Sequence, residues 1–554
     1  MKDKLYKTEC AVIGGGFAGL STALELADAG RKVDLFVKCG LEEDCNSFLV
    51  AGGLSAVKPG KGDSFSLHVR DTLKAGKYLN DREVVKYCVE HFYSEVIEWL
   101  VSKGVRFDAD LHLEGGHSKN RIYHVSDTTG MTIMGVLTGL ASRHKQITVH
   151  EDHMALDLIT RKRLGRTQGK DKVLGFYVLD VKDDQVQAVS ANSVFIATGG
   201  LGKVFTYTSN PDVATADGFA MCYRAGMVLT NMEFIQFHPT VFYDPSAPNE
   251  SSRRFLLTEA LRGAGAILKI SKDRKEDFVK KYDRLGSSST RDVVTKAEDV
   301  EMRKYGFNNV WLDCSKVGRE KLMKEFKNSF EFCLSKGLDI SKDPIPVVYA
   351  EHYSNGGVQT GKNSEAEISG CYVIGETSYT GLHGATRLAS NSAPECVLFG
   401  RLAARHYIKE NKLIQLEEIP LWIPGRATRI KDLATIGYYW DTVRRTMTSL
   451  CGIARNEARL MAARNVLAEL NKNIREYYWN YKVTKNFLEV RNIAAVASII
   501  VESALLRKES RACHFREDFP RENEVFKKLT VIRKPRKLVE KNFQQTLKLK
   551  EEIN

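Results

Sequence analysis

Glu9-Cys-Ala-Val-Ile-Gly-Gly-Gly-Phe-Ala-Gly19 is the stretch whose reading decides the fold. Glu9–Ile13 reads as a short buried strand. The glycines at 14, 16 and 19 form a G-x-G-x-x-G, and an amphipathic helix follows through Leu20, Leu24 and Leu26 to Gly30. A second strand runs from Lys32 to Val37. A strand, a glycine turn and a helix in that order place a pyrophosphate where unpaired N–H groups and the positive end of a helix dipole converge. The acidic residue expected after the second strand, to hold a ribose hydroxyl, is missing. Val37 and Lys38 stand there instead, so ribose must be held otherwise, and Lys38 is a candidate phosphate contact.

Further along, Phe195-Ile-Ala-Thr-Gly-Gly-Leu-Gly202 is a second strand ending in glycines, and Asp217–Gly226 reads as a helix with a glycine cap. Residues 233–349 change to mixed polarity and short helices, as an inserted cap would. The strand-and-glycine style returns at Gly370-Cys-Tyr-Val-Ile-Gly375. The expected architecture is α/β: a Rossmann-like domain (1–232 and 350–420) split by an α+β cap (233–349). A helical domain with a basic tail (421–554) follows, its helices beginning near Leu421. Gly375–Ser392 is rich in glycine and hydroxyls and feeds a helix, a second anion site, and Arg387 adds a planar fork suited to a carboxylate.

A chain of 554 residues, 43% hydrophobic and 27% charged, describes two or three globular domains. No apolar run reaches the length of a membrane span. The best, Ile493–Val501, contains Ser498 and stops at Glu502. The N-terminus leads directly into a strand, without room for a signal peptide. Eleven cysteines without a Cys-x-x-Cys suit a reducing cytoplasm and argue against iron–sulfur or structural zinc, so no metal is expected. The net charge of +13 owes much to the segment after Pro520, has no basic motif with interleaved aromatics, and is read as a solvated face rather than a nucleic-acid surface.

Taken together, Met232-Glu-Phe-Ile-Gln-Phe-His-Pro-Thr240, Phe255–Gly263, Arg291-Asp-Val-Val, His352-Tyr-Ser-Asn-Gly-Gly357, Gly375–Ser392 and Leu506–His514 resemble the fumarate reductase and succinate dehydrogenase flavoprotein superfamily. The resemblance is greatest to its aspartate-oxidising branch. It implies FAD held by Gly14, Gly16, Phe17, Ala18, Gly19, Lys38, Asn46, Ser47, Gly52, Gly53, Asp217, Glu376, Ser392 and Ala393. Asn46 stands where membrane-bound members carry the histidine joined covalently to FAD, so non-covalent FAD is expected. The resemblance also implies His238, Thr258, His352 and Arg387 as carboxylate ligands and Glu114, in Glu114-Gly-Gly-His-Ser118, as the partner of a substrate ammonium. Arg291, with Glu259 and Arg262, would form a proton relay. The implied reaction takes L-aspartate to iminosuccinate, with oxygen or fumarate as acceptor. Its product would feed quinolinate formation, making a quinolinate synthase a candidate partner. Ala51, Ala264, Thr386 and Pro394 depart from the superfamily pattern.

Overall fold

The computed structural model describes residues 5–42, 45–58, 60, 62–166, 168–245, 253–410, 416–430 and 432–534. Its central sheet is built on β1 (Leu5–Ile13), which pairs in parallel with β2 (Val33–Phe36) on one side and β3 (Gln185–Ile196) on the other. Alternation along β1 sends Ala11 and Ile13 into one apolar core and Cys10 and Val12 into the other. A strand buried on both faces must be apolar throughout, which is why Cys10–Ile13 carries no polar residue. Between β1 and β2, α1 (Phe17–Asp28) is buried on nearly every side. It crosses α3 (Ser392–Glu410) closely, because a Cβ at Gly400 would stand 2.8 Å from the Ala18 carbonyl oxygen.

β3 changes partners along its length. Its first half pairs antiparallel with Val173–Asp180, and Val194–Ile196 pair in parallel with Cys371–Val373. The chain therefore leaves this sheet, builds another body and returns to it. That body is a four-stranded antiparallel sheet. β4 (Ile235–Phe242) and β5 (Ile345–Ser354) lie side by side, Val310–Asp313 and Ile267–Lys269 follow, and α2 (Arg291–Tyr305) packs against it.

Helices Leu433–Leu450, Glu457–Asn480 and Lys485–Leu506 follow. The expected start near Leu421 is too early, since Pro420, Pro424 and Gly425 keep that segment out of helix. Among the described residues no helix is long and apolar enough to cross a membrane; the Ile493–Val501 run is apolar because it is core.

Of the basic segment after Pro520, residues 535–554 lie outside the described residues, and Arg521, Lys527, Lys528 and Arg533 are exposed, as a solvated face requires; the chain there nevertheless docks on the fold. Val531–Ile532 pair with Leu229–Thr230, just ahead of β4. Arg507, 1% exposed, binds Glu233, Glu509 and the carbonyls of Phe526 and Lys528. This knot ties the helical body to the strand entering the cap. Removing one member of such a buried charged set costs about 3–5 kcal/mol. Glu233→Ala is expected to lower the melting temperature by several degrees, measured by scanning calorimetry, and an unchanged value would show the knot to be dispensable.

Candidate active site

At the start of α1 the backbone comes too close to its neighbours for any side chain. A Cβ on Gly19 would lie 1.8 Å from the Gly14 carbonyl oxygen, and one on Gly14 (φ +114°) would lie 2.1 Å from that of Ala197. The first turn of α1 has no acidic residue and no side-chain cap from Gly16. Its free N–H groups and dipole suit a diphosphate. Ser47 joins them, its hydroxyl accepting from the Phe17 N–H at 2.9 Å. Glu376 and Asn46 meet beside this turn, with Asn46 Nδ2 3.5 Å from Glu376 Oε2. These residues fit a dinucleotide.

Lys38 is placed differently from the expected phosphate contact. Its ammonium lies 2.7 Å from Glu489 Oε1, 3.0 Å from Asp217 Oδ2 and 3.2 Å from the Val213 carbonyl oxygen, with Thr215 also in contact. Asp217 is further held by Thr215 and Asn492, each at 2.8 Å. The buried cation satisfies two carboxylates and has no donor left for a phosphate.

The carboxylate donors do converge. Arg387, 9% exposed, lies over the Tyr353 ring at 4.6 Å and directs Nη2 to Gln236 Oε1 and His352 Nε2, both at 3.3 Å. An arginine only donates, so His352 carries its proton on Nδ1 and donates that N–H to Ser209 Oγ at 2.7 Å. The Thr240 N–H donates to His238 Nδ1 at 3.2 Å, leaving Nε2 as the protonated nitrogen. Burial first, then the nearby Arg291, holds both histidines well below their usual range, so both are neutral at pH 7; His238 offers its Nε2–H to the site, whereas His352 in this tautomer spends its one N–H on Ser209. Their rings stand edge to face at 5.6 Å. The Leu257 N–H bonds to the Thr240 carbonyl at 2.9 Å, laying the segment ahead of Thr258 along the strand that carries His238.

On the cap side, Glu259 joins the two arginines. Arg291, first residue of α2, donates Nε–H to Glu259 Oε2 at 2.5 Å, and Arg262 Nη2 lies 3.4 Å from Oε1. Burial raises the Glu259 pKa, but Arg291 and Arg262 outweigh it and the net shift is downward, so Glu259 is a carboxylate. Arg262 is fixed by the carbonyls of Ser287 at 2.6 Å and Ser289 at 3.2 Å.

Glu114 reaches the site from a separate hairpin. Its Oε2 accepts from Ser390 Oγ at 2.5 Å, and a Cβ on Gly52 would overlap Oε1 at 2.0 Å. Gly52 must therefore be glycine for Glu114 to lie there. His117 Nε2, at 2.9 Å from the Ala389 carbonyl, ties the same hairpin to the Arg387–Ser390 segment.

The chain matches the family described as FAD binding domain over residues 9–393 and that described as fumarate reductase flavoprotein C-term over 440–551. It is 40% identical over 540 residues to an L-aspartate oxidase of Acinetobacter baylyi, covering 96% of this chain and 97% of that one. It is 42% identical to L-aspartate oxidase 1 of Ralstonia nicotianae, covering 92% and 95%. The chain belongs to the L-aspartate oxidase family. Its fold also superimposes on the FrdA chain of E. coli quinol fumarate reductase with a TM-score of 0.82 at 27% identity, covering 94% and 93%.

Within this L-aspartate oxidase family member, one departure finds a physical use. Thr386 Oγ1 accepts from Gln236 Nε2 at 2.9 Å and from Cys513 Sγ at 3.2 Å, so it orients the amide that orients Arg387. Pro394 lies in the first turn of α3, where its missing N–H costs nothing. No role for Ala264 is evident in the structure. Gln236, Ser209, Tyr353 and Ser390 escaped the sequence reading. Gln236 alone had a signal, two residues before His238 on one strand and hence on the same face.

Glu351, fully buried behind His352, has its carboxyl pushed up to about 8 by burial and by Glu376. Between its ordinary value near 4.5 and about 8, the folded state keeps a proton that the unfolded chain has lost. Its stabilising share is thus complete at low pH and disappears as pH rises through that window. In the cofactor-free protein, Glu351→Gln is expected to flatten the fall in melting temperature between pH 5.5 and 8. Parallel wild-type and variant curves would contradict this.

Proposed function

We propose that this chain oxidises L-aspartate to iminosuccinate with non-covalent FAD, using oxygen or fumarate as acceptor, in the cytoplasm, and that its product enters quinolinate formation. The observation that carries the reading is one carboxylate, Glu114, pinned by Ser390 beside a cluster of cationic and neutral donors. A dicarboxylic amino acid presents two anions and one cation. A dicarboxylate alone needs only the donors.

Arg387, His238, Thr258 and His352 would bind the two carboxylates, each charge-assisted bond contributing about 1.5–3 kcal/mol, with His352 taking its proton on Nε2 and the Ser209 hydroxyl donating to Nδ1 once substrate draws Arg387 away. Glu114 would bind the ammonium and so orient the Cα–H bond. FAD, when bound, supplies the acceptor for the two electrons and the hydrogen of that bond. The glycines of the α1 turn, Ser47, Asn46, Glu376, Ser392 and Ala393 would hold it. The remaining proton, lost from the substrate nitrogen, would leave by the Arg291–Glu259–Arg262 line, which also returns one to carbon when fumarate is the acceptor. Arginine is a poor base, and Glu259 compensates because its contact with Arg291 lets charge and proton shift together. Closure of the cap would exclude water and strengthen every one of these contacts. A quinolinate synthase is the natural recipient of the unstable product.

The flavin test is direct. Asn46 cannot form a histidyl link, so acid precipitation should leave yellow colour in the supernatant, and colour retained in the pellet would refute non-covalent binding. The activity test is anaerobic mixing with L-aspartate while watching flavin absorbance. Bleaching is expected, whereas bleaching by succinate but not aspartate would assign the chain to dicarboxylate chemistry instead.

A further inference from the structure

The hairpin that brings Glu114 into the site closes on itself at residues 108–124. His112 and Ile122 exchange backbone hydrogen bonds at 3.1 and 3.2 Å, and the Asp108 N–H donates to the His124 carbonyl at 2.9 Å. This closure, with His112 opposite Ile122 in an isolated antiparallel bridge, brings Asp110 and His112 up against His124. The side chains gather accordingly. Asp110 Oδ2 lies 3.6 Å from His112 Nε2 and 3.9 Å from His124 Nε2, and one ligand atom from each residue falls within 4.8 Å of the others.

Two features distinguish this cluster from a chance surface grouping. His124 is 3% exposed, yet neither ring nitrogen makes a hydrogen bond within the chain. An unpaired buried imidazole is costly, and its Nε2 faces the Asp110 carboxylate. In addition, Asp108 Oδ2 stands 3.2 Å from His124 Nδ1 and is itself anchored by the Ser126 N–H at 2.7 Å. That carboxylate favours a proton on Nδ1 electrostatically, the tautomer that leaves the Nε2 lone pair for a metal.

We propose that Asp110, His112 and His124 form a site for a divalent transition-metal ion of the Zn2+ class at the base of the hairpin that carries Glu114. Two imidazoles and one carboxylate are a donor set that Zn2+ accepts, with water as fourth ligand. Metal–ligand bonds of about 2.0–2.1 Å in a tetrahedron separate ligand atoms by about 3.3 Å, so the two Asp110 spacings of 3.6 and 3.9 Å would shorten by a few tenths of an ångström and the two imidazoles, within 4.8 Å of each other, would draw together further. His112 stacks on His124 with centroids 3.4 Å apart and is half exposed, so chelation requires its ring to turn out of the stack on its solvent side. The metal would clamp Asp110 and His112 on one strand to His124 on the other, stiffening the arm that holds Glu114. No local spacing in the sequence signals this site, because Asp110–His112 and His124 meet only through the hairpin register.

The test uses the full-length, FAD-loaded protein, stripped with a chelator, desalted and titrated with Zn2+ by calorimetry and with Co2+ by visible absorption. One equivalent should bind, with a Co2+ spectrum of nitrogen and oxygen ligation. Asp110→Asn and His112→Ala, both exposed and harmless to folding, should each weaken binding by at least about tenfold. Zn2+ should also slow hydrogen exchange at the His112 and Ile122 amides in wild type but not in these variants. Absence of binding at millimolar Zn2+, a thiolate Co2+ spectrum, or affinity unchanged in both variants would overturn the proposal.

Discussion

Glu114→Gln should lower aspartate oxidation by about two to three orders of magnitude while leaving fumarate reduction by chemically reduced flavin within about tenfold of wild type. The substitution keeps the shape of the side chain and its hydrogen bond from Ser390, and deletes only the charge. A partly buried ion pair that loses one partner costs about 3–4 kcal/mol, which is that loss of rate. Fumarate has no ammonium and draws only on His238, Thr258, His352 and Arg387, so the two activities should separate in this one variant. Arg387→Leu is the control. It removes the donor facing Gln236 and His352, and both activities should fall together. Equal losses in Glu114→Gln would make the residue a hairpin anchor and remove the main physical support for an amino-acid substrate.

Arg291→Lys should cost about two to four orders of magnitude in turnover, the usual contribution of a positioned proton donor, with substrate binding changed by less than about tenfold. Arg291 sits at the first position of α2 and spends its Nε–H on Glu259, leaving the terminal nitrogens of its planar fork for substrate. A lysine offers one point of charge and cannot hold Glu259 and the substrate together in that geometry. Glu259→Gln should show a similar loss, whereas a surface pair would leave turnover untouched. Rapid-reaction kinetics, separating flavin reduction from substrate binding, reads both. Wild-type turnover in Arg291→Lys would take the residue out of the mechanism.

Local chemistry made the cofactor half of the protein legible in the sequence. A glycine turn needs no distant partner to be recognised, because the positive φ of Gly14 and the Gly14 carbonyl pressed against Gly19 demand glycine locally, and the apolar run of β1 follows from burial on both faces. The residues implied by family resemblance, from Glu114 to Arg387, were legible as motifs but not as a site. They arrive on six separate segments, and only the pairing of β4 with β5 and the return of the chain to the β3 sheet bring them together.

What the tertiary structure alone decided were the partners. A lysine after β2 looks like a phosphate ligand until Asp217 and Glu489, 179 and 451 positions away in sequence, are seen to enclose it. Thr386 looks like a deviation until Gln236 is seen to need its hydroxyl. Arg507 is one basic residue among many in the sequence until it is found buried against Glu233. Each is a long-range electrostatic pairing. A sequence states which charges a chain carries, but burial and distance, which set whether a charge is spent within the fold or left for a ligand, exist only once the chain has closed on itself.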